Sequence, residues 1–139
     1  MAIRTPLALA TMLLAAACAQ TPQQRLAAEQ DSAAAASGLQ KELAGLTPGQ
    51  PMACMPRFNN TQVKAFGPTL VYSVSRTLKY RTDTSGGCER VARGDILVTQ
   101  SPMSQACQGD IATTVDQGSR MMSGSCSLGP FVRYERPAR

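Results

Sequence analysis

The sequence predicts a mainly β protein: a small antiparallel sandwich or barrel-like sheet of about six strands, stapled by disulfides, behind a signal peptide and an Ala/Gln-rich, partly helical spacer. Three observations lead there. Past residue 51, short runs of alternating apolar and polar residues are separated by Gly, Pro, Asp and Ser turn signals. The chain has no Trp, only 4% aromatic residues and five cysteines, so a core of modest size needs covalent help. Its opening is a short apolar run behind a lone arginine, which is export grammar and not part of the fold.

In that opening, Arg4 supplies the positive start and residues 7–17 an uncharged apolar stretch. Ala15, Ala16 and Ala17 are the small residues a signal peptidase reads. The stretch is far shorter than the ~20 apolar residues that span a bilayer. The ending Leu13, Leu14, Ala15, Ala16, Ala17, Cys18 resembles a bacterial lipobox. That resemblance implies lipidation of the Cys18 sulfur, cleavage before it, and a mature chain tethered to a membrane by several acyl chains. Ala19 follows where an aspartate would imply inner-membrane retention, so the resemblance implies the outer membrane. It does not choose between the two faces of that membrane; the expectation is a domain facing the periplasm. Ordinary secretory cleavage after Ala17, leaving Cys18 a free thiol, is the alternative.

Residues 18–51 read as the spacer. Thr21 suits a helix N-cap, Pro22 the first helical position, and Gln24 completes a Thr-x-x-Gln capping box. Ala27, Ala28 and residues 33–36 favour helix by propensity. Ser37 and Gly38 are expected to interrupt it, with a second, shorter helix ending near Gly45. Leu39, Leu43 and Leu46 mark one face, but Leu26 stands almost alone, so the spacer reads as mobile rather than docked. Thr47, Pro48, Gly49, Gln50 and Pro51 read as a breaker at the domain boundary.

The domain occupies residues 52–139. Expected strands cover residues 61–66, 69–75, 77–82, 96–100, 111–115 and 129–134. Gly67 and Pro68 form the first turn, and residues 83–87 a loop into Cys88. Cys54, Cys88, Cys107 and Cys126 form an even set in an exported domain, hence a disulfide framework. Of three possible connectivities, the expectation is Cys54–Cys126 tying the ends together, with Cys88–Cys107 between them. No Cys-x-x-Cys pair and no His exist, which argues against a zinc site, a catalytic dithiol and any His-based nucleophile pair. No metal or other cofactor is expected.

Two sets of residues invite a chemical reading. Gly94, Asp95, Ile96 and Gly109, Asp110, Ile111 echo one another. As a carboxylate pair, with Glu89 nearby, they would suit acid–base or cation chemistry. As Gly-Asp turns before strands they need no site, and this reading is preferred. Charge is the second signal: 14 Lys and Arg stand against 9 Asp and Glu, a net of +5. Arg76, Lys79 and Arg81 cluster around one strand and are the candidate contacts to an anionic envelope surface or polymer. Export argues against nucleic acid.

Leu78, Lys79, Tyr80 and Arg81, then Cys88, Cys107, Asp110, Ile111 and the segment from Cys126 through Gly129 to Phe131, resemble a family of small bacterial envelope proteins of unknown function. The resemblance implies the fold class and no reaction. It fails around Cys88, Glu89, Arg90 and Val91, where the family shows a different turn. The expectation is a non-catalytic, lipid-anchored envelope protein acting as an interaction or structural module. A binding module for a ligand or glycan in a cleft of the β domain is the alternative.

Overall fold

The computed structural model describes residues 21–137. The signal segment, Cys18 and Arg139 lie outside the described residues. The described residues divide into two units, with the boundary between Ser32 and Ala33. Within the first, the start of helix α1 (Pro22–Glu42) is closed by the expected capping box. Gln24 N donates to Thr21 Oγ1 at 3.3 Å and Thr21 N donates to Gln24 Oε1 at 2.9 Å.

The expected interruption of the helix does not occur: α1 runs through Ser37 and Gly38. From Ala35 onward one face is half-buried, at Ala35, Gly38, Leu39, Glu42 and Leu43, the i, i+3, i+4 spacing of a docked helix. Gly38 permits the docking. A Cβ there would come within 3.0 Å of the Phe66 ring. This half of the spacer is therefore part of the folded unit, not a mobile tether.

Seven strands follow: β1 (Thr47–Met52), β2 (Gln62–Phe66), β3 (Thr69–Ser73), β4 (Leu78–Thr84), β5 (Ile96–Gln100), β6 (Ile111–Val115) and β7 (Met122–Glu135). They form one antiparallel sheet in the order β2-β3-β4-β7-β6-β5, with β1 added on β7. Two expectations fail here. The breaker at residues 47–51 is strand β1, paired Thr47 to Glu135 and Met52 to Phe131 with a register shift between Pro48 and Pro51. Proline lacks the N–H for an interior ladder but is tolerated on an edge, where β1 lies. The last strand begins at Met122, seven residues before its expected start, because Met122, Gly124 and Ser125 pair with β6, with a register shift at Ser123.

Strand β7 organises the sheet. Its first half pairs with β6, and its second half lies between β4 and β1. The core gathers on one face, around Leu70, Tyr72, Tyr80, Leu128 and Phe131, all at most 5% exposed. Burying a side chain of this size contributes about 1.5–3 kcal/mol. The Tyr72 and Phe131 rings sit 5.9 Å apart, tilted. Buried Thr82 Oγ1 donates to the carbonyl of Gly129 at 2.9 Å, so its polarity is satisfied.

All four domain cysteines pair, but not as expected. The bonds are Cys54–Cys107 and Cys88–Cys126. The expectation treated Cys126 as a chain end. It instead points inward from β7, opposite buried Ala112 of β6, and meets Cys88 in the core. Cys54 and Cys107 face each other in an isolated antiparallel bridge. Flanking hydrogen bonds from Met55 N to Ala106 O, 2.8 Å, and Gln108 N to Ala53 O, 2.6 Å, make this a non-hydrogen-bonded pair, where side chains approach closest. Two disulfides in so small a domain point to an oxidising, extracytoplasmic location.

Candidate anion-binding groove

The end of α1 and strands β2 to β4 build a polar groove of about 510 Å³. Glu42 from the last helical turn, Lys64 of β2, Ser73 of β3, Lys79 of β4 and Arg76 of the β3–β4 turn line it. Alternation along the strands puts Lys64, Ser73 and Lys79 on the face that α1 covers, opposite the core. Lys64 pairs across to Val71, and Ser73 to Lys79.

Glu42 is the hub. Lys64 Nζ donates to its Oε2 at 2.8 Å, and Ser73 Oγ to its Oε1 at 3.3 Å. Lys79 Nζ donates both to Oε1 and to the Glu42 backbone carbonyl, the latter at 2.7 Å. That carbonyl is one of the unsatisfied acceptors at a helix C-terminus, where a cation is also favoured by the dipole. Burial pushes the Glu42 carboxyl up, but hydrogen bonds and charge from Lys64 and Lys79 more than offset it and hold the group below its ordinary range.

Three cations and one carboxylate line the groove, so it keeps a positive excess. Lys79 is spoken for, with 12% of its side chain exposed, while Lys64 is 52% exposed and Arg76 forms no ion pair among the described residues. The exposed charges open to solvent are thus those of Arg76 and Lys64. Of the three cations singled out by sequence, the groove brings together Arg76 and Lys79. Arg81 lies outside it, paired with Asp83 at 3.0 Å. Lys64 and Glu42 were not anticipated. The only sequence signal for Glu42 was its place beside Leu39 and Leu43 on the helix face.

The Gly-Asp echo does not assemble into a site. Gly94 and Gly109 both have positive φ, 99° and 89°, as turns before strands require. Asp110 Oδ2 accepts from the backbone N–H of Cys107 at 2.8 Å, as a turn aspartate does. Asp95 departs from that pattern. Its carboxylate accepts from Ser123 Oγ and from Arg90 Nε, the latter at 3.0 Å, and both contacts lower its pKa. The two aspartates sit just beyond opposite ends of the β5–β6 pair, about 20 Å apart for six steps along a strand. Glu89 accepts from Gly87 N through both oxygens, at 2.9 and 3.0 Å.

A second groove, about 440 Å³, is lined by Met55, Phe58, Val63, Tyr72, Thr99 and Met103, with Arg57 at its rim. Tyr72 Oη is buried there without a hydrogen bond of good geometry. Burial pushes the phenol up to about 12, against a smaller opposite pull from Thr99. Among the described residues no cluster of His, Cys, Asp and Glu could hold a metal ion, and no helix is long and apolar enough to cross a membrane. No family model, curated protein or solved structure matches the chain.

Proposed function

We propose that the protein is a non-catalytic, lipid-anchored module of the cell envelope, held at the outer membrane through Cys18 and facing the periplasm. Its basic groove meets an anionic envelope polymer, or the acidic surface of an envelope protein. The observation that carries this reading is the charge excess of the groove. Lys64 and Lys79 hold the single carboxylate of Glu42, while Arg76 lines the same groove and has no ion-pair partner among the described residues. The export-like start, the lipobox-like end at Cys18 and the two disulfides support the location.

The test is binding of the unlipidated mature chain to lipopolysaccharide across a salt series. Exposed charges are screened beyond ~8 Å at physiological ionic strength. Binding should therefore fall steeply with salt, and Arg76→Glu should weaken it at every salt concentration. Binding that is absent, or indifferent to both salt and Arg76→Glu, would sink the proposal.

A further inference from the structure

Strands β2 and β5 stand at the two ends of the sheet order, and no ladder joins them. The sheet nevertheless curls until its ends meet. The 3-10 turn Glu89–Arg93, which leads into β5, lies against β2. Beyond that turn the seam opens, and Thr61 and Val63 from the β2 side line one groove with Thr99 and Ser101 from the β5 side. It is an incompletely closed barrel with a gap along one side.

A strand paired on one edge presents alternate N–H and C=O groups from the other. Both walls of this gap are such edges. Natural edges are usually blunted by Lys, Pro or a covering element. Edge β1 carries Pro48 and Pro51, and β2 carries Lys64, held by Glu42 of the covering helix. Strand β5, Ile96–Gln100, has neither charge nor proline. Chain continuity and the Cys54–Cys107 bridge fix Met55 and Ala106 as a rigid apolar wall beside it.

We propose that this seam binds an extended peptide as an added strand, laid along the edge of β5 and against the stretch at Thr61 and Val63 that the 3-10 turn leaves open. Alternate peptide side chains enter the apolar pocket of Met55, Phe58, Val63 and Met103. Methionines adapt to varied side chains, which suits a site that selects backbone first. Arg57, exposed at the rim and without an ion pair among the described residues, favours an acidic residue at one end. The buried, unpaired Tyr72 hydroxyl is the donor left over for a peptide carbonyl, once the side chains above it part. This site is separate from the basic groove and does not depend on the anionic partner proposed for it.

The probe is a short synthetic peptide alternating valine with threonine and ending in glutamate, titrated into the isotope-labelled mature chain. Amide NMR shifts should appear at Val63, Thr99 and Ser101, with slowed hydrogen exchange along β5. The same peptide N-methylated at alternate residues keeps its side chains but loses the ladder, and should bind roughly tenfold more weakly or worse. Tyr72→Phe, which keeps the core shape, should weaken binding of the unmethylated peptide about threefold or more, roughly the loss of one neutral hydrogen bond. No shift at these amides, or equal binding of the two peptides, overturns the proposal. So does a chitin-type oligosaccharide that shifts these amides while the peptide does not.

Discussion

One ammonium group, Lys79 Nζ, holds both the side chain and the backbone carbonyl of Glu42, and so fastens the end of helix α1 to the middle of the sheet. The bond spans 37 residues of sequence and ties the spacer to the domain. It also means that a lysine expected to face a partner is chiefly a structural anchor.

Glu42→Gln should destabilise the domain by about 1–3 kcal/mol, since each charge-assisted hydrogen bond is replaced by a weaker one while Lys79 stays half-buried. The folded-state carboxyl lies below its ordinary value of 4.5. Its contribution is therefore complete above that pH and is lost as pH falls through the folded value. Thermal unfolding followed from pH 7 down to pH 3 should show the wild-type advantage shrinking. An advantage independent of pH would contradict the ion-pair account.

Peptide mapping without reduction should recover Cys54 joined to Cys107 and Cys88 joined to Cys126. In the chain-entropy model, loops of 53 and 38 residues each stabilise by about 4 kcal/mol. Replacing both Cys88 and Cys126 by Ser should cost more than replacing Cys54 and Cys107, because the former pair is buried and the latter half-exposed. Equal losses in urea unfolding would argue against that ranking.

Gly124→Ala should be among the most damaging single substitutions. A Cβ there would lie 2.1 Å from the carbonyl oxygen of Gly87 and 2.9 Å from Thr114 Oγ1. The backbones of β7 and the loop before Cys88 would have to part, at a cost of ~2–4 kcal/mol. Gly118→Ala, whose Cβ would meet only an aspartate oxygen at 3.5 Å, is the control and should be nearly neutral.

Tyr72→Phe should leave stability unchanged or raise it by up to ~1 kcal/mol, because the hydroxyl it removes is buried without a good partner. In the wild type, burial pushes the Tyr72 phenol from its ordinary value of 10.0 up to about 12. Below pH 10 the phenol is neutral in both states, whereas at higher pH the unfolded chain ionises first and stability falls as pH rises toward the folded value. Alkaline unfolding monitored by tyrosinate absorbance should therefore shift upward in Tyr72→Phe.

Strands β5 and β6 were legible in the sequence residue for residue, since each is a short uncharged run rich in β-branched residues that follows a Gly-Asp turn signal. Strand β1 was hidden by Pro48 and Pro51, whose ring chemistry reads as a break unless the strand is known to be an edge. The start of β7 was hidden because Ser123, Gly124 and Ser125 carry no β propensity, and tertiary pairing decides there. The helix break expected at Gly38 was overridden by close packing on Phe66. Arg76 and Lys79 could be named from local clustering, whereas Lys64 and Glu42 join them only through the three-dimensional meeting of β2, β4 and α1. Disulfide connectivity followed the placement of Cys126 in a central strand, which cysteine spacing does not encode.

The proposed tether through Cys18 would put the basic groove at an envelope surface, and the proposed envelope partner depends on it. Metabolic labelling of the expressing cells with a fatty acid tests it directly. The account predicts that the wild-type chain takes up label and that Cys18→Ser takes up none while retaining both domain disulfides. Labelling that persists in Cys18→Ser, or never occurs in the wild type, would contradict it.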